Sequence, residues 1–251
     1  MSQTICITGA TAGCGEACAR LFASKGWNII ATGRRQDRLV KLQQELGDCC
    51  YTLNFDIRDR GAVDEAFGNL PTAFAEVDVL VNNAGLALGL EPAHRCDWSD
   101  WETMIDTNIK GLLHATQVLL PGMVDRKRGH VVNIGSIAGS YPYPGGNVYG
   151  ATKAFVMQFS RNLRADVHGS GVRVTNIEPG LLETEFSNVR FKGDAERASA
   201  LYANANPLRP EDIANAIDWA VGCPAHVNVN RIELMPVSQS FSPLAVHRAT
   251  C

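Results

Sequence analysis

Short apolar runs alternate with longer amphipathic ones along the whole chain. Seven runs read as strands, over residues 4–8, 27–32, 50–55, 77–82, 130–134, 172–177 and 231–235. Several are continuously apolar rather than alternating, the pattern of parallel strands covered on both faces. Between them, apolar residues recur at helical spacing over 15–25, 35–46, 62–69, 98–128 with a break or bend, 148–168 and 210–221. This alternation predicts an α/β fold, a doubly wound domain with a mostly parallel seven-stranded sheet. The rhythm lapses at 183–206, which is polar and irregular apart from a short helix around 195–203. An excursion of that length after a strand predicts a substrate lid.

The 251 residues carry no linker-like stretch or internal repeat, so residues 1–251 read as a single domain. A formal net charge of −3 gives no general attraction for nucleic acid or an anionic membrane. The one basic run, Arg126-Lys127-Arg128, falls at a helix end, where cations suit the helix dipole. No apolar run reaches the length of a membrane-spanning helix. The first residues open directly into a strand-like run, without the basic and long apolar regions of a secretory signal. The eight cysteines have no zinc-ligand spacing, so no metal is expected, and they read as reduced, small apolar residues. Together these features predict a cytoplasmic location.

Candidate chemistry begins at the first strand, which runs into Thr8-Gly9-Ala10-Thr11-Ala12-Gly13-Cys14-Gly15 and then a helix. Gly9, Gly13 and Gly15 allow a tight turn and remove side chains that would block a pyrophosphate. The helix behind them offers unpaired N–H groups and the positive end of its dipole. The turn and the alternation together predict a Rossmann-type nucleotide site. The second strand ends Ala31-Thr32-Gly33-Arg34-Arg35. It lacks the carboxylate that would bind an NAD ribose, and Arg34 and Arg35 suit the 2′-phosphate of NADP.

Further along, Tyr149-Gly150-Ala151-Thr152-Lys153 places a phenol and an ammonium one helical turn apart. A phenol has a pKa of about 10, too high for a good base near neutrality, and a nearby ammonium favours phenolate. Tyr149 could then take a proton from a substrate hydroxyl or return it. Ser136 closes the fifth strand, where its hydroxyl can orient the reacting oxygen.

The Gly-x3-Gly-x-Gly turn, Asn82-Asn83-Ala84-Gly85, Ser136, the Tyr149/Lys153 pair and Pro179-Gly180 together resemble the short-chain dehydrogenase/reductase family. The resemblance implies an NADP-dependent oxidoreductase with Ser136, Tyr149, Lys153 and Asn108 as its catalytic set, Asn108 holding a water that connects Lys153 to solvent. It implies cofactor contacts from Gly9, Thr11, Gly13, Cys14, Gly15, Arg34, Arg35, Asp56, Ile57, Asn83, Ala84, Gly85, Tyr149, Lys153, Pro179, Gly180 and Thr184. Asp56 would accept from the adenine amine.

Stretches such as Ala31 to Gln36, Asn82 to His94 and Glu185 to Asp194 are similar to one bacterial subgroup of NADP-dependent 3-hydroxy acid dehydrogenases. That subgroup also oxidises serine and allo-threonine, and the likeness implies a homotetramer acting on a small-molecule substrate. A related subgroup reduces sulfoacetaldehyde and carries arginine where this chain has Ser238, which favours a carboxylate substrate here. A broad carbonyl reductase and a non-catalytic NADP-binding regulator remain the alternatives. A 3-hydroxy acid needs a cation for its carboxylate, because an apolar pocket cannot hold that charge alone. Arg190, ten residues beyond Gly180 in the excursion, is the expected partner, with Arg231 and Arg248 as rivals.

Overall fold

The computed structural model describes residues 2–241. Its strands are β1 (Thr4–Ile7), β2 (Asn28–Gly33), β3 (Cys50–Asn54), β4 (Val79–Asn82), β5 (Gly129–Ile134), β6 (Val172–Pro179) and β7 (Arg231–Leu234). They form one sheet in the order β3-β2-β1-β4-β5-β6-β7, and every pairing is parallel. The α-helices are α1 (Gly13–Ser24), α2 (Gln36–Leu46), α3 (Arg60–Gly68), α4 (Trp98–Ile105), α5 (Leu112–Asp125), α6 (Asn147–Asp166), α7 (Phe186–Arg190), α8 (Ala195–Ala200) and α9 (Pro210–Gly222).

Successive strand residues point to opposite faces, and here both faces are covered. Ile5, Ile7, Ile29, Ala31, Val79 and Val81 pack with Phe22 of α1, Leu39 of α2 and Ile213 and Ile217 of α9. The intervening Cys6, Ile30 and Leu80 pack on the other face with Phe67 of α3, Leu119 and Met123 of α5 and Leu163 of α6. Each such aliphatic or aromatic side chain contributes about 1.5–3 kcal/mol when fully buried. The continuous apolar runs of the sequence follow from this two-sided burial. The strand order reverses beside β1, between β2 and β4, and that switch point opens a crevice at the strands' C-terminal ends.

The expected break in 98–128 is a π-helical segment, Asp106–Gly111, between α4 and α5. Such single-turn insertions re-aim side chains, and this one turns Thr107 and Asn108 inward, both buried. The third strand stops at Asn54, so Asp56 and Ile57 lie in the loop beyond it.

The excursion at 183–206 contains α7 and α8 and is flanked by a bridge between Leu182 and Leu208. It is fastened on several sides. The Arg190 carbonyl accepts from the Gly89 N–H at 2.8 Å. Lys192 lies 2.8 Å from Asp100 of α4, and the hydroxyls of Ser187 and Tyr202 hydrogen-bond within the segment.

Candidate active site

One cavity of about 800 Å³ runs along the C-terminal edge of the sheet. Of the residues expected from the sequence, Gly15 and Asn108 stand behind its wall and the rest line it. At one end is the glycine turn. Gly9 and Gly13 have φ of +70° and +54°, the left-handed region that favours glycine. Gly15 serves packing rather than contact, because a Cβ there would collide with the Gly9 carbonyl. The residue capping α1 is Ala12, whose side chain offers no oxygen, so the first N–H groups of α1 are available to a phosphate.

Asn83 fixes the turn from the neighbouring strand. Its Nδ2 donates to the carbonyls of Thr8 (2.8 Å) and Gly9 (3.0 Å). The Thr8 hydroxyl in turn accepts from the N–H groups of Asn83 and Ala84, both at 3.0 Å. Thr8 is thus a positioning residue that the motif reading passed over. Thr184 faces the turn from the far side, its methyl 3.3 Å from where a Gly13 Cβ would lie, while its hydroxyl accepts from Phe186 N–H.

Arginines gather beyond the turn. Arg35 donates to the Thr11 hydroxyl at 3.0 and 3.1 Å, and Arg38 to the Thr11 carbonyl at 3.2 Å. Arg34 is more open and lies 3.7 Å from Asp56. No carboxylate ends β2, so this cluster fits the 2′-phosphate of NADP, and the uncapped turn fits its pyrophosphate. Arg38 was missed, although it sits one helical turn beyond Arg34 and Arg35. Asp56 lines the cavity, but its carboxylate is held by Arg58 at 2.6 Å, and that bond keeps it below the usual carboxylate range.

The reactive end is built on β5, α6 and α7. Ser136 caps the turn after β5, its Oγ accepting from Ala138 N–H at 3.1 Å. The nearest acceptor for its own proton is the Pro179 carbonyl, at 3.5 Å, which leaves the hydroxyl able to meet a substrate oxygen. Tyr149 and Lys153, on one face of α6, are both buried. Burial pushes the Tyr149 phenol up to about 12, opposed by the charge of Arg190 and by the Ser136 hydroxyl. Burial pulls the Lys153 ammonium down to about 8.

One expectation changes here. The Lys153 ammonium was expected to lie near the Tyr149 phenol and favour phenolate. It instead donates to the Ile134 carbonyl at 2.7 Å and stands 5.9 Å from the Tyr149 ring centre. The nearer cation is Arg190, whose guanidinium carbon lies 5.1 Å from that centre. Asn108 was expected to carry a water to Lys153. Its side chain accepts from Leu86 N–H at 2.8 Å and donates to the Leu86 carbonyl and Thr152 hydroxyl, bracing the cavity wall against α6.

Arg190 reaches the place expected of an anion-binding group. Its guanidinium lies against both the Tyr149 and Phe186 rings, 5.1 Å from each centre. Among the described residues its one side-chain hydrogen-bond partner is the Tyr143 hydroxyl at 3.3 Å, and its buried Nε has none. The acids among the described lining residues, Asp56 and Glu185, both pair with arginines at the other end. Arg231 is committed to Glu178 at 2.7 Å and to Glu233, away from the cavity. Arg248 lies outside the described residues. Ser238 donates to the Ala205 carbonyl, and Gln239 lines the cavity, its Oε1 accepting from Leu181 N–H at 2.7 Å.

Comparison with known proteins agrees with this geometry. The profile of the short chain dehydrogenase family matches residues 3–195. The chain is 60% identical over 246 residues to an NADP-dependent 3-hydroxy acid dehydrogenase of Salmonella typhi, covering 98% of this chain and 99% of that one. It is 54% identical over 248 residues to a serine 3-dehydrogenase of Rhizobium radiobacter, covering 99% of each. Among solved structures, the closed form of a serine dehydrogenase complexed with NADP+ superposes with a TM-score of 0.97. That pair is 58% identical, over 98% of this chain and 100% of that one.

Proposed function

The chain belongs to the short chain dehydrogenase family, and from that membership we propose that it transfers a hydride between NADP(H) and a small 3-hydroxy acid. The enzyme is NADP-dependent, as its relatives are named, and the residues at the adenosine end suit that cofactor. The observation that carries the substrate class is Arg190. A guanidinium with an unpaired donor lies against the ring of the proton-transfer phenol, and no described lining acid stands beside it to neutralise its charge or repel an anion. A guanidinium fork can pair with both oxygens of a carboxylate, so Arg190 would hold the acid group while the 3-hydroxyl meets Tyr149 and Ser136.

NADP+, when bound, supplies the hydride acceptor. Tyr149 removes the proton of the substrate hydroxyl during oxidation and returns it during reduction. Ser136 orients that oxygen by donating to it. Arg190 does two things: it holds the carboxylate, and its charge favours phenolate against the cost of burial. Lys153, fixed by the Ile134 carbonyl, borders the same cavity and adds positive charge where the cofactor ribose belongs. Residues 183–206 act as the lid, because α7 carries Arg190 over the catalytic ring. The protein works in the cytoplasm as a homotetramer, which sedimentation at about four chain masses would support. Trp98 of α4 and Trp219 of α9, 64% and 60% exposed, offer two separate apolar surfaces for such assembly.

The test is a substrate panel, the hydroxy acids and alcohols with NADP+ and NAD+ and the two aldehydes with NADPH and NADH. It contains 3-hydroxypropionate, 3-hydroxyisobutyrate, L-serine, L-allo-threonine, malonic semialdehyde, sulfoacetaldehyde and uncharged alcohols. Turnover of the carboxylates with NADP is expected. Preference for sulfoacetaldehyde, or for uncharged alcohols, would overturn the assignment.

A further inference from the structure

Glu185 immediately precedes α7, yet its carboxylate reaches across the cavity mouth to α2. It accepts from Arg35 at 2.8 Å and from Arg38 at 2.9 Å. The same two guanidiniums hold Thr11 of the glycine turn. Both hydrogen bonds keep the Glu185 carboxyl below its usual range, so it is ionised at neutral pH.

Arg35 is one of the two arginines that the NADP reading assigns to the ribose 2′-phosphate, Arg38 belongs to the same cluster, and the inference rests on that reading. A carboxylate and a phosphate ask for the same thing from a guanidinium, in-plane N–H groups opposite paired oxygens. They also repel one another at close range. A 2′-phosphate that pairs with Arg35 and Arg38 must therefore take N–H groups from Glu185 or sit beside its charge. The ribose hydroxyl of NAD makes no such demand.

We propose that Glu185 is an internal competitor for the 2′-phosphate of NADP. It occupies the arginines, tempers the affinity for the phosphorylated cofactor, and ties the start of residues 183–206 to the site that reads the phosphate. Binding of the phosphate unties that end, while the contacts of Arg190 with Gly89 and of Lys192 with Asp100 keep the other end in place.

The residues of these two pairs are substantially exposed, at 45% for Glu185, 42% for Arg35 and 39% for Arg38. Screened pairs of this kind contribute little each, so two of them correspond to roughly a 2- to 20-fold effect on binding. Adenosine 2′,5′-bisphosphate and 5′-AMP isolate the question, because neither carries a nicotinamide and neither is turned over. Their affinities for the wild type and Glu185→Gln are read by calorimetry. The wild type is expected to favour the bisphosphate, and Glu185→Gln to widen that ratio by roughly 2- to 20-fold with 5′-AMP nearly unchanged. A wild type that does not distinguish the two ligands would sink the 2′-phosphate reading itself. A wild type that distinguishes them, with a Glu185→Gln ratio unchanged or narrowed, would sink the competition and leave the cofactor reading intact. The gain must also vanish in an Arg35→Ala/Arg38→Ala background. Its persistence there would mean a diffuse charge effect and would equally overturn the proposal.

Discussion

Replacing Arg190 with alanine separates recognition of the substrate anion from chemistry. The side chain supplies charged hydrogen bonds to a carboxylate, which contribute about 1.5–3 kcal/mol, equivalent to roughly 10- to 150-fold in binding. Residues 183–206 should stay in place without it. Its carbonyl bond to Gly89 N–H is a backbone contact, and the link from Lys192 to Asp100 does not involve the side chain. Stacking on Tyr149 and Phe186 is lost as well, a stability cost of about 0.5–2 kcal/mol for such cation–π contacts. The assay is initial-rate kinetics with NADP+ on 3-hydroxypropionate and on a matched uncharged alcohol. KM for the acid should rise at least tenfold, with KM for the alcohol little changed. A second signature distinguishes this from a folding defect. Arg190 opposes the rise of the Tyr149 pKa, so its removal raises that pKa further and moves the oxidation limb of the pH profile to higher pH for both substrates. Equal KM losses on charged and neutral substrates, with an unmoved profile, would refute the reasoning.

Two further outcomes follow from the same geometry. Arg34→Ala/Arg35→Ala should weaken NADP by tenfold or more and leave NAD nearly unchanged, measured by calorimetry; a wild-type preference for NAD would contradict the reading of β2. Buried His130 is held neutral, its pKa lowered from 6.5 to about 3 mainly by burial, with its Nε2 on the Thr175 hydroxyl at 2.8 Å. The unfolded chain therefore binds more protons than the folded one between those values. The neutral histidine's stability is fully present above pH 6.5 and falls by about 1.4 kcal/mol per unit as pH drops toward 3. His130→Gln should flatten the acid limb of urea midpoints against pH, and an identical limb would rule this cause out.

The strands were legible because burial on both faces writes continuous apolar runs, from Ile5 to Ile7 and from Val79 to Val81. β6 extends to Pro179 past where its apolar run ends, because Glu178 is buried within it and paired with Arg231. The π segment showed only as a break, since a change of hydrogen-bond register leaves little mark on side-chain spacing. Helix α7 is five residues long, too short for its periodicity to register. The i,i+4 spacing put Tyr149 and Lys153 on one face, but the ammonium's partner, Ile134, comes from β5. Glu185 lies 147 residues from Arg38, a meeting that only the folded chain reveals. Arg190 was singled out by chemistry rather than pattern, because a 3-hydroxy acid would need a cation, and the fold brings it to the cavity beside Tyr149.

Tyr149→Phe is the most direct test of the central claim, that this cavity moves a proton and a hydride together. The substitution keeps the ring that packs on Phe186 and beneath Arg190 and removes the one oxygen that exchanges the proton. Oxidation of 3-hydroxypropionate is followed by the near-ultraviolet absorbance of NADPH, and NADP binding by calorimetry. Turnover should fall by about 100- to 10,000-fold with NADP affinity retained. Turnover within about a factor of two of wild type, against that expected acid–base contribution, would contradict the assignment of Tyr149 and with it the proposed chemistry.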